Sequence, residues 1–235
     1  MLTEFTDGDS DGKPAARWSP IYYGLRDAIV SHRLAPGTKL PEDELASIYQ
    51  VSRTVIRAAL QALAHDRLAR LEPNRGAFVA QPSKAEAREV FEARALIEPR
   101  VAALAAKAAR PGDIARLRQH LHKEHEALHA GRDSDAIMLS ARFHVGIAEI
   151  AAHSVLTKFV RDLVSHSSLI IALYWKRRDT TCESHAHHAL VDAIEAGRSA
   201  EAADLMNSHL VDLLSGLDLS DKPAKSDKLS DLLGQ

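Results

Sequence analysis

The sequence predicts a mainly α-helical protein, with an N-terminal winged helix-turn-helix followed by a six-helix bundle. Alanine and leucine are abundant while aromatic residues make up 5% of the 235 residues, a balance that favours helix over sheet. Apolar residues recur at helical spacing along most of the chain, and a hairpin signal interrupts them in the stretch LARLEPNRGAFVA. The segment Gln81-Pro82-Ser83 is the expected boundary between the two parts.

Composition sets the expected domain limits. Residues 1–17 and 218–235 are rich in polar and charged residues and short of apolar ones, so we expect both to be flexible tails. Residues 18–82 form the predicted winged helix-turn-helix domain. Residues 83–217 form the predicted helical domain.

The winged domain is predicted to contain three helices and a hairpin. Its first helix should end before Pro36 and Gly37, which break helices. Pro41 should occupy the first turn of the second helix, and Ser52 is the expected N-cap of the third. A Pro-Asn-Arg-Gly turn then joins two short strands.

The third helix is predicted to be amphipathic. Val55, Ala59 and Leu63 are expected to face the core, with Thr54, Arg57 and Gln61 on the opposite face. A helix presented in this way can enter the major groove of DNA, where arginine pairs with guanine.

The candidate DNA contacts are Arg53, Thr54 and Arg57 on this helix and Arg75 and Gly76 at the hairpin tip. An ordinary solvated helix face would explain two arginines equally well. The order of helices, tight turn and hairpin favours binding to double-stranded DNA.

The helical domain is predicted from apolar periodicity interrupted at RPGD, HAGRD, RRDTT and EAGRS. Six helices are expected, at residues 84–109, 113–130, 134–152, 154–177, 182–196 and 199–217. Short connections between helices of this length predict a bundle.

Three histidines in the bundle are candidate metal ligands. His144, His187 and His209 each lie on the apolar face of a different predicted helix. Imidazoles that converge in a core suit a divalent transition metal and leave positions open for a water or a carboxylate. Three unrelated core histidines, each hydrogen-bonded, remain the alternative.

The chain offers no signal for a membrane or a secreted protein. No apolar run approaches the roughly 20 residues of a membrane span, and the N-terminus is acidic and polar, unlike a signal peptide. The single cysteine, Cys182, cannot form an internal disulfide. We therefore expect a cytoplasmic protein.

The first part resembles the DNA-binding domain of the GntR family of bacterial transcription regulators. The resemblance lies in LRDAIVSHRLAPGTKLPEDELASIYQVSRTVIRAAL and EPNRGAFVA. It implies that Arg53, Thr54, Arg57, Arg75 and Gly76 contact operator DNA. The chain departs from the family at Val55 and Ala58, and at Asp43, where the family often places an arginine.

The second part resembles the ligand-binding FCD domain of the FadR branch, in its VanR-like subgroup. The resemblance lies in EVFEARALIEPRVAALAA, RFHVGIAEIAAHS and HHALVDAIEAGRSAEAADLMNSHL. It implies a divalent metal, such as zinc, nickel or manganese, on His144, His187 and His209. Ser140 stands where the family has an aspartate ligand.

The same resemblance supplies candidates for effector binding. Arg94 lies in the pattern RALIE, whose arginine points into the family's ligand cavity; an ion pair with Glu98 is the alternative. Ser140 lies beside the expected metal. His166 could enter the same cavity or could be a core residue.

These features predict a homodimeric transcriptional regulator, acting as a repressor, that responds to a small carboxylate effector. The chain is not expected to be an enzyme. The alternatives are a metal-dependent hydrolase built on the three histidines and a DNA-binding protein without effector control.

Overall fold

The computed structural model describes residues 16–176 and 181–220. The first part contains α1 (Ser19–Val30), β1 (Lys39–Leu40), α2 (Glu42–Tyr49), α3 (Arg53–His65), β2 (Ala69–Glu72) and β3 (Gly76–Val79). The second contains α4 (Lys84–Ala108), α5 (Pro111–His129), α6 (Asp133–Ile150), α7 (Ser154–Tyr174), α8 (Thr181–Glu195) and α9 (Ser199–Ser215).

The first part is a winged helix-turn-helix. Three helices pack on a three-stranded antiparallel sheet with strand order β1-β3-β2. The predicted hairpin is confirmed, and its register pairs Ala69 with Val79 and Glu72 with Gly76. The sequence did not predict β1, because a strand of two residues is too short to show an alternating pattern.

The core of this part centres on α3. Ile56, Ala59, Leu60 and Leu63 are buried there, while Val55 is only half-buried and packs at the edge of the cluster. The inward face of α3 is therefore rotated slightly from the predicted face, towards Ile56 and Leu60. Pro41 is the N-cap of α2 rather than its first residue, and Gln50 ends that helix in a left-handed conformation.

The second part is the predicted six-helix bundle. A capping box at Ser83 starts α4, because the Ser83 hydroxyl accepts from the Glu86 amide while the Glu86 carboxylate accepts from the Ser83 amide. Pro82 precedes this cap, as expected for a boundary. Phe91, Leu121, Phe143, Ile147 and Val191 belong to the large apolar cluster between the helices.

Most of the two predicted tails, residues 1–17 and 218–235, lies outside the described residues. The first residues of the second tail are described, and they contact the bundle. Asp218 pairs with Lys176 at 2.9 Å, and the Ser220 carbonyl accepts from Lys84 at 2.6 Å. The folded part thus extends beyond the predicted limit at residue 217.

Across the part of the chain described, every helix is too short or too polar to span a bilayer.

Candidate DNA-binding surface and metal centre

The leading turn of α3 presents its arginines to solvent. Ser52 has the extended backbone of an N-cap, although its side chain makes no capping hydrogen bond, and Arg53 is the first helical residue. The side chains of Arg53 and Arg57 are 60% and 57% exposed. Thr54 is also exposed. The structure therefore places the three predicted α3 contacts together on an accessible surface.

Acidic side chains from α2 hold these arginines in place. The Arg57 guanidinium donates two hydrogen bonds to the Glu42 carboxylate, at 3.0 and 2.7 Å. Arg53 pairs with Asp43 at 3.1 Å. The bond from Arg57 lowers the pKa of Glu42, so this carboxylate stays charged. Asp43, one of the departures from the family pattern, thus positions Arg53.

The hairpin tip offers a second cationic group in the same domain. The Arg75 side chain is 71% exposed, pairs with Glu72 at 2.5 Å and lies 5.5 Å from the centre of the Phe78 ring. Gly76 has φ +96°, a left-handed conformation that side-chain-bearing residues rarely adopt. The glycine is therefore required by the turn that projects Arg75.

The three predicted histidines meet in the core of the bundle. His144 on α6, His187 on α8 and His209 on α9 are 3%, 0% and 4% exposed. The Nε2 atom of His209 lies 3.2 Å from Nε2 of His187 and 3.3 Å from Nε2 of His144. Three helices from distant parts of the sequence thus bring three ring nitrogens to one point.

Buried carboxylates lie on the opposite sides of two of these rings. Glu98 on α4 lies 2.7 Å from Nδ1 of His144. Glu124 on α5 lies 3.4 Å from Nδ1 of His187, and neither of those two atoms has a hydrogen-bond partner among the described residues. A carboxylate against Nδ1 favours the tautomer with its proton on Nδ1, which leaves Nε2 as a lone pair.

These residues fit a divalent metal ion. Metal–imidazole bonds of about 2.0–2.1 Å require ligand nitrogens about 3.0–3.4 Å apart, and the measured separations lie in that range. Without a cation, facing lone pairs would repel one another. Burial lowers the pKa of both His144 and His209, which keeps the rings in the neutral form that binds metal.

Arg94 lies beside this cluster and is 2% exposed. Its guanidinium forms an ion pair with Glu98, donates to the Ser167 hydroxyl at 2.9 Å and approaches Nδ1 of His144 at 3.3 Å. Burial alone would raise the pKa of Glu98, but the charge of Arg94 lowers it overall. The ion pair that was the alternative for Arg94 is therefore present, and it adjoins the predicted metal ligands.

The other two candidate effector residues differ in position. Ser140 is half-buried one helical turn before His144, as the sequence indicated. His166 was expected either to enter the histidine cavity or to be a core residue, and its Nε2 instead lies 2.6 Å from the backbone carbonyl of Asp66 in the winged domain. Apolar spacing could show that His166 faces inward, but not which domain it would contact.

The sequence did not identify Glu124 as a neighbour of the histidines. Its position could have been found, since it continues the apolar spacing of Leu117 and Leu121 on α5. Glu98 was identified as a partner of Arg94, but its contact with His144 depends on how two helices pack. Both carboxylates lie on the Nδ1 side of the rings, so neither is placed to activate a water at the Nε2 atoms.

Comparisons with known proteins identify both parts. Residues 19–79 match the family described as bacterial regulatory proteins, gntR family, and residues 89–212 match the FCD domain. The chain is 35% identical over 131 residues to the HTH-type transcriptional repressor RspR of Escherichia coli, a match covering 56% of this chain and 58% of RspR. It is 28% identical over 221 residues to the regulator LutR of Bacillus subtilis, covering 80% and 96% of the two chains.

Solved structures share the fold. A putative GntR regulator from Rhodococcus sp. RHA1 has a TM-score of 0.74 at 25% identity, covering 85% of this chain and 96% of its own. McbR/YncC of E. coli has a TM-score of 0.78 at 19% identity, covering 86% and 97%. The chain belongs to the gntR family of bacterial regulatory proteins, and its helical part is an FCD domain.

Proposed function

We propose that this chain is a sequence-specific DNA-binding transcriptional regulator. The observation that carries the proposal is the exposed edge of α3, where Arg53, Thr54 and Arg57 stand side by side above a fully buried opposite face. Arg75 extends the cationic surface at the wing. Helices with this geometry enter the major groove, and a wing arginine reaches a neighbouring groove or phosphate.

The acidic partners of α2 define how the arginines are presented. Glu42 orients the Arg57 guanidinium through Nε and Nη2 until DNA arrives, and a guanine would then take over this planar fork. Because this pair is exposed, exchanging Glu42 for a guanine or a phosphate involves little loss of stability. The proposed DNA-binding residues are Arg53, Thr54, Arg57, Arg75 and Gly76.

The FCD domain would supply control by a small organic acid. His144, His187 and His209 would hold a divalent metal such as zinc, nickel or manganese. A metal bound there supplies a Lewis acid with open positions for an effector carboxylate. Ser140 cannot provide the carboxylate ligand usual at that position, which leaves an additional position for a water or the effector.

A repressor acting as a homodimer is the form we favour. RspR is named a transcriptional repressor, and two winged domains related by a two-fold axis would read a pseudo-palindromic operator. Leu96 on α4 is 74% exposed, which suits burial against a second copy. Its proposed location is the cytoplasm, where the chain would have access to DNA.

The alternatives have less support. The carboxylates nearest the histidines, Glu98 and Glu124, contact the Nδ1 atoms, so within the described residues the hydrolase alternative has no carboxylate placed as a general base. A DNA-binding protein without effector control would not account for a buried cluster of histidines, carboxylates and an arginine, which is costly to desolvate.

Fluorescence anisotropy tests the regulatory function. Labelled duplex from upstream of the protein's own gene would be titrated with protein, with and without a panel of carboxylic acids. We expect at least one acid to change the dissociation constant for that duplex. If no acid in a broad panel changes it, effector control is rejected while DNA binding stands.

Elemental analysis of purified protein tests the metal site. We expect about one metal ion per chain in the wild type and a loss of that ion in His187→Ala. The matched control is His188→Ala, whose ring contacts His125 instead, 5.0 Å between centres. Equal metal content in the wild type and His187→Ala would remove His187 from the site.

A further inference from the structure

Helix α7 carries two adjacent serines that contact different domains. The Ser167 hydroxyl accepts a hydrogen bond from Arg94 at 2.9 Å. The Ser168 hydroxyl donates to the Val30 carbonyl at 2.6 Å and lies 3.0 Å from Nε2 of His32. Neighbouring residues on a helix point about 100° apart, so the pair reaches two partners at once. Both serines are buried, at 2% and 3% exposure.

On one side, Ser167 is connected to the histidine cluster. Arg94 contacts Ser167, Glu98 and His144, and Glu98 lies against Nδ1 of His144. Each of these groups is almost fully buried. A displacement of the His144 ring therefore has to move its neighbours, because a packed interior has no free space to absorb it.

On the other side, α7 is part of the core of the winged domain. Leu169 is fully buried in the apolar cluster of that domain, while Val164 and Ile170 of the same helix belong to the cluster of the bundle. The contact of His166 with the Asp66 carbonyl adds a second polar connection. One rigid helix thus belongs to both cores.

The junction between the two domains has room to rearrange. A pocket of about 310 Å³, open to solvent, lies beside the His166 contact and is lined by Tyr22, Arg26 and Asp66 of the winged domain and by Lys158 and Asp162 of α7. Polar, incompletely packed junctions permit relative motion of domains. A small shift of α7 can therefore change the position of the winged domain.

We propose that Arg94 and the Ser167–Ser168 pair couple occupancy of the histidine cluster to the DNA-binding surface. This rests on the proposed function, since it requires both a metal at the cluster and DNA binding at α3. Without the metal, the facing lone pairs push the His144 ring away from His187 and His209, which shifts Glu98 and Arg94. Arg94 moves Ser167, and α7 carries the shift through Ser168 to the end of α1.

The test measures the dissociation constant of the full-length protein for the labelled upstream duplex, once in chelator and once saturated with Zn²⁺. The ratio of the two constants is the coupling, which we expect to be about 5- to 150-fold in the wild type. By reciprocity, the affinity for Zn²⁺ must change by the same factor when DNA is added. A merely structural serine would not alter this ratio.

Ser167→Ala and Ser168→Ala each remove one hydroxyl from the connection. We expect either change to bring the ratio close to one, while the zinc affinity without DNA remains near that of the wild type. Ser165→Ala is the matched control, because that hydroxyl donates within α7, to the Arg161 carbonyl. It should keep the wild-type ratio.

The results separate the two proposals. If Ser167→Ala and Ser168→Ala keep the wild-type ratio, or if the wild type binds both zinc and DNA with a ratio of one, the coupling is overturned and the DNA-binding function stands. If Ser168→Ala does not fold, Ser167→Ala, which leaves the junction intact, decides alone. If the wild type binds neither zinc nor the duplex specifically, both proposals fail.

Discussion

Two arginine–glutamate pairs in this chain have the same chemistry and opposite surroundings. Arg57 and Glu42 pair on the DNA-binding surface, with side chains 57% and 25% exposed. Arg94 and Glu98 pair inside the bundle, with both side chains 2% exposed. The exposed pair contributes little to stability, because water screens the charges, so it can exchange partners when DNA arrives.

The buried pair, Arg94 and Glu98, cannot exchange partners in this way. Removing either partner leaves a charge without compensation in a medium of low polarity, so the pair persists as a unit. It therefore suits a position where the two side chains move together between the metal site and α7. Exposure thus separates an arginine that can exchange its partner for DNA from one that stays with its partner.

The largest expected effect follows from breaking the buried pair. Arg94→Ala leaves the Glu98 carboxylate buried against His144, and we expect the free energy of unfolding to fall by about 3–5 kcal/mol. Urea denaturation in the presence of chelator measures this fall in the free energy of unfolding. Arg118→Ala, on an exposed pair with Asp192, is the control and should change little. Equal effects of the two changes would contradict the contrast between the sites.

A smaller effect is expected when Glu98 loses its charge. Glu98→Gln keeps the shape but weakens the orientation of the His144 ring, so zinc affinity should fall by about 10- to 100-fold. Competition with a chromophoric chelator measures this affinity. Glu92→Gln, an exposed position on the same helix, serves as the control. An unchanged zinc affinity for Glu98→Gln would show that Glu98 does not orient the ligand.

The exposed pair is expected to matter for DNA rather than for folding. Arg57→Ala should weaken binding to the upstream duplex by about 5- to 150-fold if the arginine reads a base. Binding to a scrambled duplex should change much less, and the urea denaturation curve should stay close to that of the wild type. Arg118→Ala again supplies the control. A loss of equal size on both duplexes would assign Arg57 to a phosphate instead.

The smallest effect is expected for Glu42→Gln. This change removes a negative charge near the DNA phosphates, so binding to scrambled DNA should strengthen. It also weakens the hydrogen bonds that orient the Arg57 guanidinium, so the ratio of affinities for upstream and scrambled duplexes should fall. Anisotropy titrations on both duplexes at one salt concentration measure the difference. Stronger discrimination by Glu42→Gln would mean that the pair competes with base reading rather than preparing for it.

Much of the fold could be predicted from local signals. Pro36, Pro41 and Pro82 divide the chain, and apolar periodicity located the six helices of the bundle. The inward faces of His144, His187 and His209 followed from the same periodicity. Such signals act within a few residues, so they predict where helices and strands lie and which of their residues face inward.

Pairings between elements could not be predicted in this way. The meeting of Glu124 with His187, and of His166 with the winged domain, depends on how helices cross, which no spacing within one helix encodes. The strand β1 also depends on a distant element, because its residues Lys39 and Leu40 pair with β3. The exposure of Arg57 was predictable from the sequence, but its two hydrogen bonds to Glu42 were not.

The exposed arginines of α3 are proposed to read a DNA sequence, and the ratio of the dissociation constants for scrambled and upstream duplexes tests this reading. The dissociation constant of the wild-type protein would be measured by anisotropy for upstream duplex and for scrambled duplex of the same length and base composition, at one salt concentration. We expect the upstream duplex to bind about 10³-fold more tightly or better. Equal binding of the two duplexes by correctly folded protein would mean that the arginines of α3 do not read the sequence.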